Sequence, residues 1–202
     1  MIKYIKDRFL LFKFKKQDKD TDEEIALLME LWELLKKKEI TKYDKLLNSC
    51  LYFSLINRDI YYLCEYFYFE KNKNRKNLFG RILSMTIIEF LEDINFLLGK
   101  ELADELKKYK LDELLKDIRM LNKYYSQLKR TFNNEFRLLR NEASAHHSRD
   151  ANILYKLHRN LGIENLTAIG YEIGKLGNRF VNISNNILEQ VFDVNHKEKK
   201  VL

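Results

Sequence analysis

The chain reads as all-α, a single-domain helical bundle around two long core helices, and three observations point there. Proline is absent from its 202 residues and glycine occurs only six times, whereas average usage near 5% would supply about ten prolines. Sandwiches and barrels need those residues at their turns. Apolar residues recur at threes and fours over long stretches, the period of a helix with one buried face. Hydrophobic residues make up 46% and charged residues 33%, which fits a folded, soluble domain rather than a disordered chain or a membrane bundle. A chain of this length buries a core without disulfide or metal staples. No linker, repeat or low-complexity tract divides it, so residues 1–202 form one domain, with a basic segment at 1–20 and a polar tail at 194–202.

The elements follow in order. Ile2, Ile5, Phe9 and Phe12 share a helical face flanked by lysines and Arg8, and that face is expected to dock on the domain. Thr21 followed by Glu24 has the form of a capping box opening a helix that ends in Lys36, Lys37 and Lys38. Residues 41–72 are rich in Tyr and Phe, yet Ile56, Ile60, Leu63 and Phe67 step by four, three and four, which predicts helix over strand. Leu83, Ile87, Phe90, Ile94 and Leu97 continue a seam to Gly99, where a hairpin turn is expected. The first long helix is expected from about residue 111 to the mid-140s through Leu114, Ile118, Leu121, Tyr125, Leu128 and Phe132. The second runs through Leu166, Ile169, Ile173, Leu176, Phe180, Ile183, Ile187 and Val191. Beside it stand Gly170, Gly174 and Gly177, each of which costs about 1 kcal/mol of helix propensity. They are expected to admit a close neighbour, with residues 143–145 as the candidate.

A formal net charge of +7 favours polyanionic partners, so RNA is an expected partner. Cys50 and Cys64 lie in apolar surroundings and read as buried thiols, which points to the reducing cytoplasm. The apolar run at residues 9–12 is too short for a signal-peptide core or a membrane span. No membrane association is expected, although lipid binding through residues 1–16 is a third reading. Lysine clusters at 13–16, 36–38, 71–76 and 197–200 are expected to be solvated helix faces, with an RNA-guiding surface as the alternative. Trp32 and the aromatic residues at 52–69 are likewise expected in the core rather than stacking bases.

The sequence has no Gly-rich phosphate loop, Cys-x-x-Cys pair, His-Glu-x-x-His or Gly-x-Ser-x-Gly elbow, and those enzyme classes drop out. What stands out is residues 136–150, where an apolar helix face meets Arg140, Asn141, Glu142, His146, His147, Arg149 and Asp150. On a continued helix His146 follows Ala143 and Leu139 on the seam, and Arg140 and His147 lie within about 20° of each other. An imidazole that titrates near neutrality beside a guanidinium matched to phosphate oxygens suits phosphodiester chemistry without a metal or cofactor. A metal held by His146 and Asp150 lacks recognisable further ligands.

Arg140, Asn141 and His146, with four residues between the Asn and the His, resemble the motif of the HEPN superfamily, the higher eukaryotes and prokaryotes nucleotide-binding domains. The likeness covers the motif and the general helical layout. It implies a bundle that pairs with a second copy to form one composite cleft, and metal-independent RNA cleavage leaving a 2′,3′-cyclic phosphate. Many members look like toxins or phage-defence effectors, so an antitoxin protein is a possible partner. By the same resemblance His146 is the general acid or base, Arg140 stabilises charge at phosphorus and Asn141 positions the phosphate or the His. His147 also falls within the motif's spacing and stands as the alternative imidazole. The competing reading is a catalytically inactive helical dimer that binds RNA, a nucleotide or a protein partner through the same surface.

Overall fold

The computed structural model describes residues 2–41, 43–138 and 166–198. They form α1 (Ile2–Lys37), α2 (Asp44–Phe69), α3 (Lys73–Phe96), a π-helical segment (Leu97–Leu102), α4 (Ala103–Lys108), α5 (Asp112–Leu138) and α6 (Leu166–Glu198). Among the described residues there is no strand. Helices α2, α3, α5 and α6 close a ring, since α2 packs on α3, α3 on α5, α5 on α6 and α6 back on α2. Helix α1 lies outside the ring against α2. The expected seams supply the core: Leu83, Ile87, Phe90 and Ile94 from α3, Leu114, Ile118, Leu121 and Tyr125 from α5, and Leu166, Ile169, Ile173, Phe180 and Ile183 from α6 are all buried.

At the centre each ring helix contributes one aromatic residue. Phe53 of α2 has its ring centroid 5.3 Å from Phe90 of α3, 5.8 Å from Tyr125 of α5 and 4.7 Å from Phe180 of α6. The geometry mixes edge-on and offset contacts, the arrangements that the ring quadrupole favours.

Helix α1 runs unbroken through Thr21, which is 2% exposed in mid-helix and not a cap. A capping box acts where the chain enters a helix, and residues 2–20 hold no Pro or Gly to interrupt one; extending a helix is easier than nucleating another. Glu24 instead accepts a hydrogen bond from Ser54 Oγ of α2 at 2.9 Å. Of the expected docking face, only the Phe12 side chain is described; those of Ile2, Ile5 and Phe9 lie outside the description. Phe12 is 66% exposed, while Phe14 meets Tyr61 and Phe69 of α2, each with centroids 6.4 Å apart. Residues 9–14 are apolar apart from Lys13, so more than one helical face is apolar, and Phe14 lies on the one that meets α2.

The turn expected at Gly99 lies eleven residues later. The backbone passes through Gly99 in the π-helical segment and turns at Lys110, whose φ is 57°. Leu111 N donates to Leu106 O and Lys110 N to Lys107 O, a Schellman closure; Glu39, also at φ 57°, closes α1 in the same way through Ile40 N to Leu35 O and Glu39 N to Lys36 O. Gly99 serves a different need, because a Cβ there would stand 2.6 Å from Asn122 Nδ2 of α5.

The start of α2 is braced from a distant segment. Glu105 of α4 accepts hydrogen bonds from the backbone N–H groups of Lys45 at 3.2 Å and Leu46 at 2.9 Å, and Glu101 pairs with Lys45 Nζ at 2.6 Å. Burial pushes the Glu105 carboxyl up, and the two N–H groups pull it back. This carboxylate satisfies two of the donors that every helix N-terminus leaves open. Glu105→Ala is expected to destabilise the fold by about 1 kcal/mol, read as a lower urea midpoint with unchanged slope.

The glycine stripe of α6 faces α2. A Cβ at Gly170 would meet Cys64 Sγ at 2.6 Å, at Gly174 Tyr61 Oη at 2.6 Å, and at Gly177 the Phe53 ring at 3.1 Å. The close neighbour is therefore a row of α2 side chains; the candidate at residues 143–145 lies outside the described residues. Gly174→Leu must displace Tyr61 and is expected to cost about 1–3 kcal/mol, lowering the melting temperature by about 2–10 °C. An unchanged melting temperature would show that Tyr61 swings aside freely.

Candidate nucleic-acid interface

Arg140, Asn141, His146 and His147 all fall in residues 139–165, outside the described residues. Their setting is given by the two helices that flank them. Arg140 comes two positions after Leu138, where the description of α5 ends, and α6 begins at Leu166. The pair is antiparallel. Arg179 of α6 contacts Met120 and Tyr124 early in α5, while Ala168 and Ile169 face Thr131 and Phe132 near its other end. The segment with the motif thus joins neighbouring ends of two long helices that pack together, as their seams predict.

A groove of about 480 Å³ runs between α5 and α6. Leu128, Phe132, Ile169 and Leu176 give it an apolar lining, and Tyr124, Gln127 and Thr131 add polar atoms on the α5 side. The Arg179 guanidinium sits 5.1 Å from the centroid of the Tyr124 ring, with Nη2 3.9 Å from Met120 Sδ. Glu172 also lines the groove and is bonded to Lys175 Nζ at 2.8 Å.

The charge on this side of the ring of helices is one-sided. Between Ile118 and Phe132 there is no acidic residue, and Arg119, Lys123, Lys129 and Arg130 are basic. Arg119, Lys123, Arg130 and Arg179 are exposed and have no carboxylate partner among the described residues. Elsewhere the cations are often engaged: Arg58 with Asp22 at 3.0 Å, Lys45 with Glu101 at 2.6 Å, Arg75 with Glu70 at 3.8 Å. Of the lysine clusters singled out in the sequence, two place a cation over an aromatic ring. Lys36 lies over Trp32 at the end of α1 and Lys76 over Phe67 at the start of α3.

A second groove, of about 540 Å³, separates α1 from α6 above Cys50 and Ser54. Asp20, Glu23 and Glu24 line it beside Leu27, Leu28 and Leu31. Its acidic edge opposes phosphate. The Ser184 hydroxyl in its wall is buried without a hydrogen-bond partner. Burial wins at both cysteines and pushes the Cys50 and Cys64 thiols up to about 12, so neither offers a thiolate nucleophile near neutral pH.

Trp32 is half-buried and its Nε1 donates to Asp44 Oδ1 at 3.3 Å; of the aromatic residues at 52–69, Phe53 and Phe67 are core as expected, whereas Tyr66 and Tyr68 are exposed. Among the described residues no three His, Cys, Asp or Glu side chains stand together as a metal site. No described helix is long and apolar enough to cross a membrane. Sequence reasoning passed over Tyr124 and Arg179. The acid-free stretch from residue 118 to 132 is a signal visible in the sequence, but the pairing of Tyr124 with Arg179 across two helices is not. No family model, curated protein or solved structure matches the chain.

Proposed function

We propose that the protein is a HEPN-type, metal-independent endoribonuclease that works as a homodimer, of the kind that serves as a toxin or phage-defence effector. The observation that carries this reading is the spacing Arg140-Asn141-x4-His146 in the connection between two long helices that pack on each other. His146 takes the proton from a ribose 2′-hydroxyl, and the 2′-oxygen attacks the adjacent phosphorus. The bond from phosphorus to the 5′-oxygen breaks, and that oxygen leaves with a proton supplied by an imidazole. Arg140 stabilises the extra charge at phosphorus, and Asn141 holds the phosphate in line. His147 is the alternative imidazole. The acid-free, basic stretch of α5 from residue 118 to 132 supports the choice of a polyanionic substrate.

Incubation with total RNA in EDTA, followed by end-group analysis, tests the reading. Fragments ending in 2′,3′-cyclic phosphate and 5′-hydroxyl are expected. Intact RNA after incubation with well-folded protein, or fragments ending in 3′-hydroxyl and 5′-phosphate, would overturn it and leave the non-catalytic helical dimer.

A further inference from the structure

We propose that the groove between α5 and α6 is a docking site for single-stranded RNA, gripped by stacking on the Tyr124 and Arg179 pair and by phosphate contacts from Arg119, Lys123 and Arg130. The choice of RNA rests on the ribonuclease reading; the choice of a single strand rests on the groove.

Single strands are bound where cations track the phosphates and flat π surfaces receive the bases, and both are present. A guanidinium 5.1 Å from the Tyr124 ring centroid is positioned for cation–π contact and offers a second flat surface to a base. Beside it, Leu128, Phe132, Ile169 and Leu176 provide an apolar lining that a base face can cover. Duplex RNA hides its base faces in the stack, so it has no use for that lining. At 100° per residue, Arg119, Lys123 and Arg130 fall within about 40° of one another around α5. They form a strip next to Gln127 and the groove, and lack carboxylate partners among the described residues. The groove carboxylate, Glu172, is paired with Lys175, whereas Asp20, Glu23 and Glu24 edge the groove between α1 and α6. Electrostatics thus separates the two grooves, and a polyanion is steered to the first. From its Phe132 end α5 continues to Leu138, so bound RNA points to the end of the bundle at which the description of α5 stops, two positions before Arg140 in the sequence.

The test reads binding apart from cleavage. An RNA of about 16 mixed nucleotides, within the span of known single-strand sites, carries 2′-O-methyl on every ribose, which removes the attacking hydroxyl. Its fluorescence anisotropy is followed with wild type, Tyr124→Ala, Tyr124→Phe, Lys123→Glu/Arg130→Glu and His146→Ala. Tyr124 is 39% exposed, so its truncation spares the core, and circular dichroism checks the fold of each variant. Tyr124→Ala is expected to weaken binding about tenfold, Tyr124→Phe and His146→Ala to leave it unchanged, and the double charge reversal to weaken it and flatten its salt dependence. The matching duplex should bind at least about tenfold more weakly than the strand.

Equal affinity of folded Tyr124→Ala and wild type, or equal binding of strand and duplex, overturns the proposal. A Tyr124→Ala protein that falls from dimer to monomer by light scattering also overturns it, because a second copy then fills the groove. The expected binding pattern in a wild type that cleaves no natural RNA upholds the groove and removes the ribonuclease reading. Cleavage of natural RNA with Tyr124-independent binding does the reverse.

Discussion

His146→Ala is expected to lower RNA cleavage in EDTA by about 10²–10⁴-fold while leaving the helical content of the protein unchanged. The magnitude follows from the chemistry. An RNA backbone carries its own nucleophile, so the barrier lies in removing the 2′-hydroxyl proton, bearing the charge at phosphorus and protonating the leaving oxygen. An imidazole titrating near pH 6.5 exchanges protons at neutral pH better than any other unperturbed side chain. On the proposed reading, in which one imidazole acts as base and one as acid, a bell-shaped dependence of rate on pH is expected, which a single substitution removes. Arg140→Lys is expected to keep the fold and lose most of the activity, since an ammonium cannot contact two phosphate oxygens in the forked geometry of a guanidinium. His147→Ala decides between the neighbouring rings. Full activity in His147→Ala with loss in His146→Ala assigns the role to His146, and the converse assigns it to His147.

The long seams were legible because burial on one face imposes a period that no neighbour can override. Every residue from Leu83 to Ile94 on the α3 seam, and from Leu166 to Ile183 on that of α6, points inward, apart from Leu176, which is half-buried against the core. What the sequence misstated were the interruptions. Thr21 with Glu24 and Gly99 carry local signals for a start and a stop, and both lie inside continuous helix because a tertiary contact claims the side chain or its absence: Glu24 meets Ser54, and the missing Cβ of Gly99 makes room for Asn122. Conversely, the turns at Glu39 and Lys110 use charged residues in the left-handed region, where a reader of sequence looks for Gly or Asn. A helix boundary costs only about 1 kcal/mol to move, so one distant contact redirects it.

The candidate site divides in the same way. Arg140, Asn141 and His146 stand out through their spacing alone, which the sequence itself carries. Tyr124 and Arg179 are 55 positions apart, and only the antiparallel packing of α5 on α6 makes them neighbours. Their relation depends on registry between helices, which no local pattern encodes. The same registry puts the acidic residues 20, 23 and 24 on the α1 side of α6 and the acid-free stretch of α5 on the other, so the net charge of +7 is not evenly spread over the surface.

Phe53→Ala is expected to destabilise the protein by about 3–5 kcal/mol, a fall in melting temperature on the order of 10 °C. Phe53 touches the aromatic ring of each of the other three helices around the core, at 5.3, 5.8 and 4.7 Å, and borders Gly177 as well. Its removal leaves a cavity that neighbours cannot fill without shifting a whole helix, which places the loss at the upper end for large-to-small changes. Tyr125 gives the opposing case within the same cluster. Its ring is fully buried, and its hydroxyl has no hydrogen-bond partner. Burial holds the phenol pKa well above its ordinary value. An orphaned buried hydroxyl costs about 1–3 kcal/mol, so Tyr125→Phe, which keeps the ring and its contacts with Phe53 and Phe90, is expected to leave stability unchanged or raise it. Thermal melts and urea titrations of the two variants separate packing from polarity at one site. If Tyr125→Phe lost as much stability as Phe53→Ala, the hydroxyl would have to be satisfied, and the cluster would be a hydrogen-bonded core instead of an apolar one.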